Sequence, residues 1–138
     1  MLIIAVLFLS MDVHADENRD STKHQESFIR AFFRDVIQDW NWEKFGELSS
    51  ISLRESAPNK VIKDKFEIYS KWGSFKSYKI TKIDEVDSGG EFVIFFSESL
   101  VEFSKTSVVF HLRLIKNKQS EDFKIIEFRT SEPEKYRE

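Results

Sequence analysis

Cysteine is absent from the 138 residues, and only four glycines and two prolines occur. Without cysteine there is no disulfide framework, no zinc–thiolate site and no lipid-bearing cysteine behind a leader. So few chain breakers leave most of the chain to regular structure. A basic excess is missing too: the formal net charge is −3, which argues against a general nucleic-acid binder, because phosphate recognition leaves a domain basic. The longest apolar run, Leu2 to Leu9, is about half of the ~20 residues that cross a bilayer as a helix, so a permanent membrane anchor is not expected. There is no nucleophile elbow, no glycine-rich phosphate loop and no acid pair of glycosidase type. No two histidines stand at helical or strand spacing and the carboxylates are scattered, so neither metal nor cofactor is expected.

What is present is a globular composition. Hydrophobic residues make up 41% and phenylalanine occurs 14 times, enough for one domain with an aromatic core. The first residues read differently from the rest. The apolar run, with no Lys or Arg before it, is followed by Val13-His14-Ala15, a small-residue cleavage pattern. The sequence therefore predicts a signal peptide over 1–15, a short polar lead over 16–20, a domain over 21–130 and a charged tail over 131–138, in a protein that is exported to a periplasm or secreted.

Within the domain, Ser21 or Thr22 can cap a helix, with Gln25 in capping-box position. Phe28, Ile29, Phe32, Phe33, Val36, Ile37 and Trp40 then form one stripe of a 3.6-residue period. Asn41 can cap a second, shorter helix carrying Trp42, Phe45 and Leu48. Residues 52–59, with Pro58, read as a loop. Val61, Ile62, Phe66, Tyr69 and Trp72 mark a third helix, which Gly73 ends. From Phe75 the period becomes two, predicting strands over 77–86, 91–103, 106–116 and 123–130. Their short connections require antiparallel neighbours. The fold class expected is α+β, with three N-terminal helices on a curved, four-stranded antiparallel meander.

The strand faces can be sorted in advance. If Ser104-Lys105 is a two-residue turn, Val101 lies opposite Val108, Phe95 opposite Leu114 and Glu98 opposite His111. Val108, Phe110, Leu112 and Leu114 then lie under the helices. Val109, His111, Arg113 and Ile115 point the other way with Ile94, Phe96 and Glu98. That second face is too apolar for a simple solvated surface and invites a partner, either a second copy or another protein.

The order helix, short helix, loop, helix and long meander resembles the nuclear-transport-factor-2-like, cystatin-like superfamily. Asp39-Trp40-Asn41-Trp42-Glu43-Lys44-Phe45 is similar to its junction between the first two helices. Ser107 to Lys116, the charged turn after it and Phe123-Lys124-Ile125-Ile126 resemble its closing hairpin, with Phe123 where the family usually has Trp. The strand pair that usually follows the second helix is not evident. The resemblance implies a cone whose concave side can hold a small apolar ligand, lined by Phe28, Phe32, Trp42, Tyr69, Phe110 and Leu112, and dimerisation through the convex face. It supplies no chemistry.

Proton-transfer catalysis in such a cone needs an acid or a histidine inside it. His24 reads as a surface residue of the first helix. His111 with Glu98 reads as a polar contact on the face away from the helices, with acid–base work as the alternative. Tyr69, Tyr78, Trp40, Trp42 and Trp72 read as core residues before ligand contacts. Charge is the more uneven signal. Arg54, Lys60, Lys63, Lys65, Lys71, Lys76, Lys79 and Lys82 make the third helix and first strand basic; Asp84, Glu85, Asp87, Glu91, Glu98 and Glu102 follow with no basic residue between them. Such asymmetry can orient a partner or guide self-association.

Overall fold

The structure, a computed structural model, describes residues 22–133. The expected leader, the polar lead, Ser21 and residues 134–138 lie outside the described residues. A first helix, α1, runs over 22–32 and passes into a π-helical turn at Phe33–Ile37. There follow α2 (Trp42–Leu48), α3 (Ile51–Ser56) and α4 (Asn59–Tyr69), the last with a 3-10 turn at Ser70–Trp72. Four strands complete the fold: β1 (Phe75–Asp87), β2 (Phe92–Phe103), β3 (Ser107–Asn117) and β4 (Lys124–Ser131). They form one antiparallel sheet in the order β1-β2-β3-β4, the α+β meander expected.

Local chemistry explains most boundaries. The Asn41 side chain accepts from Lys44 N–H at 3.0 Å and starts α2. Gly73 ends the third predicted helix with φ 95°, a conformation that a side chain resists. Gln25 behaves otherwise than a capping-box partner: it is buried and donates to the Phe96 carbonyl at 3.1 Å, tying α1 to β2. The loop expected over residues 52–59 is corrected by α3. Ser50 accepts from Leu53 N–H at 3.1 Å, and its own N–H donates to Ile125 O at 2.8 Å. A cap and a tether to β4 thus make a helix that carries no apolar stripe.

The register of β2 and β3 follows from the Ser104-Lys105 turn: Val101 pairs with Val108, Phe95 with Leu114 and Glu98 with His111. Alternation holds along β2 and along β3 as far as Leu114, every second residue there being buried under the helices. On that side Phe33 stacks on Tyr78 at 4.2 Å, Phe32 meets Phe128 at 5.7 Å, Phe45 meets Phe66 at 5.5 Å and Phe110 meets Phe128 at 5.1 Å. Trp40 packs against Phe66 at 5.1 Å and Phe103 at 5.8 Å. It does so from a left-handed backbone (φ 50°) that closes the turn after α1. Among the described residues no helix is long and apolar enough to cross a membrane.

Candidate interaction face

Three register slips, two in β1 and one in β4, and a meander set which side chains share the face away from the helices. Reading across β1, β2, β3 and β4, the partners form four rows: Lys79–Leu100–Val109–Ser131, Lys82–Glu98–His111–Arg129, Asp84–Phe96–Arg113–Glu127 and Val86–Ile94–Ile115–Lys124. Two charged rows therefore run across the middle of the sheet, with apolar residues from β2 and β3 on both sides of them. All seven residues expected on this face, Ile94, Phe96, Glu98, Val109, His111, Arg113 and Ile115, are on it, and all are half-buried.

The charged rows are cross-linked. His111 Nδ1 lies 3.4 Å from Glu98 Oε1, and its Nε2 lies 2.7 Å from Ser131 Oγ. Glu127 stands between Arg113 (3.5 Å) and Arg129 (3.6 Å). The Arg113 guanidinium sits 5.0 Å from the centre of the Phe96 ring, and its Nε is buried without a hydrogen-bond partner. Two hollows meet along this line. One, about 280 Å3, is bordered by Lys82, Asp84, Phe96, His111, Arg113 and Glu127. The other, about 710 Å3, runs from Thr81 and Lys82 past Leu100 and Val109 to Ser131 and Pro133.

Ser131 was not foreseen in this cluster. It stands two residues beyond the cross-strand partner of His111 and so shares its face, but the strand expected from the sequence ends at 130, which leaves Ser131 in the tail. The order serine, histidine, glutamate is that of an acyl-transfer relay, but the two contacts of the imidazole are unequal. The Nδ1 to carboxylate distance exceeds a hydrogen bond. Backbone N–H groups of a sheet lie in its plane rather than toward its face, so they cannot form an oxyanion hole above Ser131. The contacts hold the imidazole in place.

The residues expected to line a cavity lie on the helix side of the sheet or on the helices. Phe32 and Phe110 are fully buried and Leu112 nearly so. Tyr69 stacks on Trp72 at 4.6 Å, and Trp42 carries the Lys63 ammonium 5.9 Å from its ring centre. Phe28 borders a surface hollow of about 460 Å3 with His24, Leu48, Asp122 and Phe123. Among the described residues the buried polar side chains are Gln25, Ser49, Ser97 and Ser99, none of which ionises near neutral pH. No group of three or more histidine or acidic side chains able to hold a metal occurs among the described residues. At the far end of the sheet, Lys118 at 2.8 Å and the Gly89 N–H at 2.9 Å hold the Asp87 carboxyl below the ordinary aspartate range.

No protein-family model matches the sequence, and no curated protein matches it.

Proposed function

We propose that the chain is an exported, non-enzymatic binding module of the nuclear-transport-factor-2-like kind, which holds a protein partner on the sheet face away from its helices. One observation carries this reading: among the described residues the helix side is filled by stacked rings with no ionisable group buried there, whereas the opposite face presents apolar residues beside charged rows on all four strands. Leu100, Val109, Ile94 and Ile115 supply area to bury; Glu98, Arg113, Glu127 and Arg129 supply pairing groups that fix orientation. The leader pattern ending at Ala15 supports a location outside the cytoplasm.

The test is a photo-crosslinking residue at Val109, compared with one at Ile68, which is 60% exposed on α4. Irradiated cells should yield one discrete protein adduct from position 109 that disappears with Leu100→Asp, and its mass should show the chain without residues 1–15. No adduct from 109, or the same adduct from 68, overturns the binding reading. An adduct that still carries 1–15 overturns the processing.

A further inference from the structure

We infer that the free edge of β1 is a self-association site, pairing antiparallel with β1 of a second copy to continue the sheet across a two-fold axis. The two edges of the sheet are unlike. β4 has eight residues, and the chain from Ser49 to Ser50 covers part of its edge through a parallel bridge to Ile125 and the Ser50 N–H to Ile125 O bond. β1 has 13 residues, pairs among the described residues with β2 alone and is largely exposed. A long, open edge of this kind is a template for another strand unless something blocks it.

Lysines and bulges are the usual blocks, and β1 has both. Their arrangement nevertheless suits a second copy. The half of β1 before Thr81 is basic, with Lys76 and Lys79; the half after Lys82 is acidic, with Asp84, Glu85 and Asp87. An antiparallel strand reverses that order, so self-pairing sets the basic half of each copy against the acidic half of the other. With the axis between Thr81 and Lys82, Lys79 meets the second copy's Asp84, Ile80 meets its Ile83, Tyr78 its Glu85 and Ser77 its Val86.

The bulge decides whether these pairs can form. Directly opposed residues in an antiparallel ladder must point to the same side of the sheet. Pairs such as 79 with 84 are an odd number apart, and in an uninterrupted strand they point to opposite sides. Here the register slips between Ile80 and Lys82, where Ser99 and Glu98 are their successive partners. Ile80 and Ile83 consequently both lie on the helix side, opposite Ser99 and Ser97, while Lys79 and Asp84 both lie on the outer side, opposite Leu100 and Phe96. Moving the axis by one residue along the strand toward its start sets Lys79 against Lys82. Moving it the other way sets outward Lys82 against inward Ile83. One register alone matches both side and charge. Near the axis the two Lys82 ammonium groups approach each other, and each has Glu98 directly across on β2.

This contact leaves the outer face open, so it is separate from the partner site proposed above. The experiment is sedimentation velocity on the purified chain, with circular dichroism to confirm that each variant is folded. The wild type should be a dimer. Lys79→Glu and Asp84→Lys each replace two attractions by two repulsions and should each raise the dimer Kd about tenfold. Together in one chain they restore the pairing with the signs exchanged, and the Kd should return to within about threefold of wild type. A wild type that stays monomeric to roughly 100 µM, or a double variant no tighter than either single one, overturns the inference. A dimer indifferent to these changes but dissociated by Leu100→Asp also overturns it, and moves self-association to the face. Loss of the position-109 crosslink with the dimer intact is failure of the partner reading alone.

Discussion

Phe110→Ala tests whether the space beneath the helices is filled. Its ring is 1% exposed and has aromatic neighbours on every side described: Phe128 at 5.1 Å, Phe33 at 5.7 Å, Phe103 at 6.0 Å, Trp72 at 6.2 Å and Trp40 at 6.4 Å. Removing it forfeits transfer free energy and leaves a void that the flanking rings cannot close, because each is held by others. Phe→Ala at such a site costs about 4 kcal/mol, a large share of the roughly 5–15 kcal/mol available to a domain of this size. Phe92, on the same sheet but 49% exposed, supplies the control. About half its area is already in water and its removal opens no enclosed space, so Phe92→Ala should cost about 1 kcal/mol or less. Equilibrium urea unfolding followed by tryptophan fluorescence measures both, since Trp40 and Trp72 adjoin Phe110, and an unchanged urea dependence would show that the unfolded reference is shared. A loss below about 1.5 kcal/mol for Phe110→Ala would refute the argument. It would mean that the rings leave room and that the cone retains the ligand cavity its resemblance implies.

Trp40 combines ring packing with a left-handed backbone at φ 50°, a conformation that costs a non-glycine residue about 1 kcal/mol. Trp40→Gly and Trp40→Ala both lose the ring, but only glycine relieves the backbone, so the glycine variant should be more stable than the alanine variant by about that amount in urea unfolding; alanine equal to or above glycine would show that the turn is not left-handed. For Asp87, the bonds from Lys118 and Gly89 lower the folded-state pKa, so their stabilisation is complete above the ordinary aspartate range and is lost as pH falls through the folded value. Carboxyl titration by NMR should find Asp87 below the ordinary aspartate range, and Lys118→Ala should move it upward; a midpoint unaffected by that change would remove Lys118 as the cause.

Much of this architecture is legible in the residue order. A stripe from Phe28 to Trp40 dictates a buried helix, and the turn at Ser104-Lys105 suffices to place Glu98 opposite His111. What escapes has a tertiary origin. α3 offers only Leu53 as a half-buried apolar anchor, and its position depends on Ser50 reaching Ile125, 75 residues away in sequence by the numbering. The π turn at Phe33–Ile37 adds a residue to one helical turn without altering the apolar stripe that marks it. Ser131 reaches His111 only through the register of β3 and β4, which slips at Ile126 between the partners of Arg113 and Leu114. Fourteen phenylalanines specify how much aromatic volume must be buried; whether that volume closes a cone or lines it depends on where Phe33, Tyr78 and Phe110 stack.

The charge on the outer face bears on how such a surface can recognise anything. Lys79, Lys82, Arg113, Lys124 and Arg129 are largely offset there by Asp84, Glu98, Glu102 and Glu127. Alternating signs at strand spacing cancel within about one Debye length, so this face cannot draw a charged partner from a distance as a patch of one sign does. Discrimination has to arise at contact, from burial of Leu100, Val109 and Ile94 and from whether each incoming group finds an opposite charge in its row. A second copy meeting the β1 edge satisfies that condition by symmetry, since each strand carries both the basic half and its acidic complement. The slip at Thr81 is what turns that sequence symmetry into a spatial one, because it brings Asp84 onto the side where Lys79 already points, while Glu85 and Asp87 stay on the helix side.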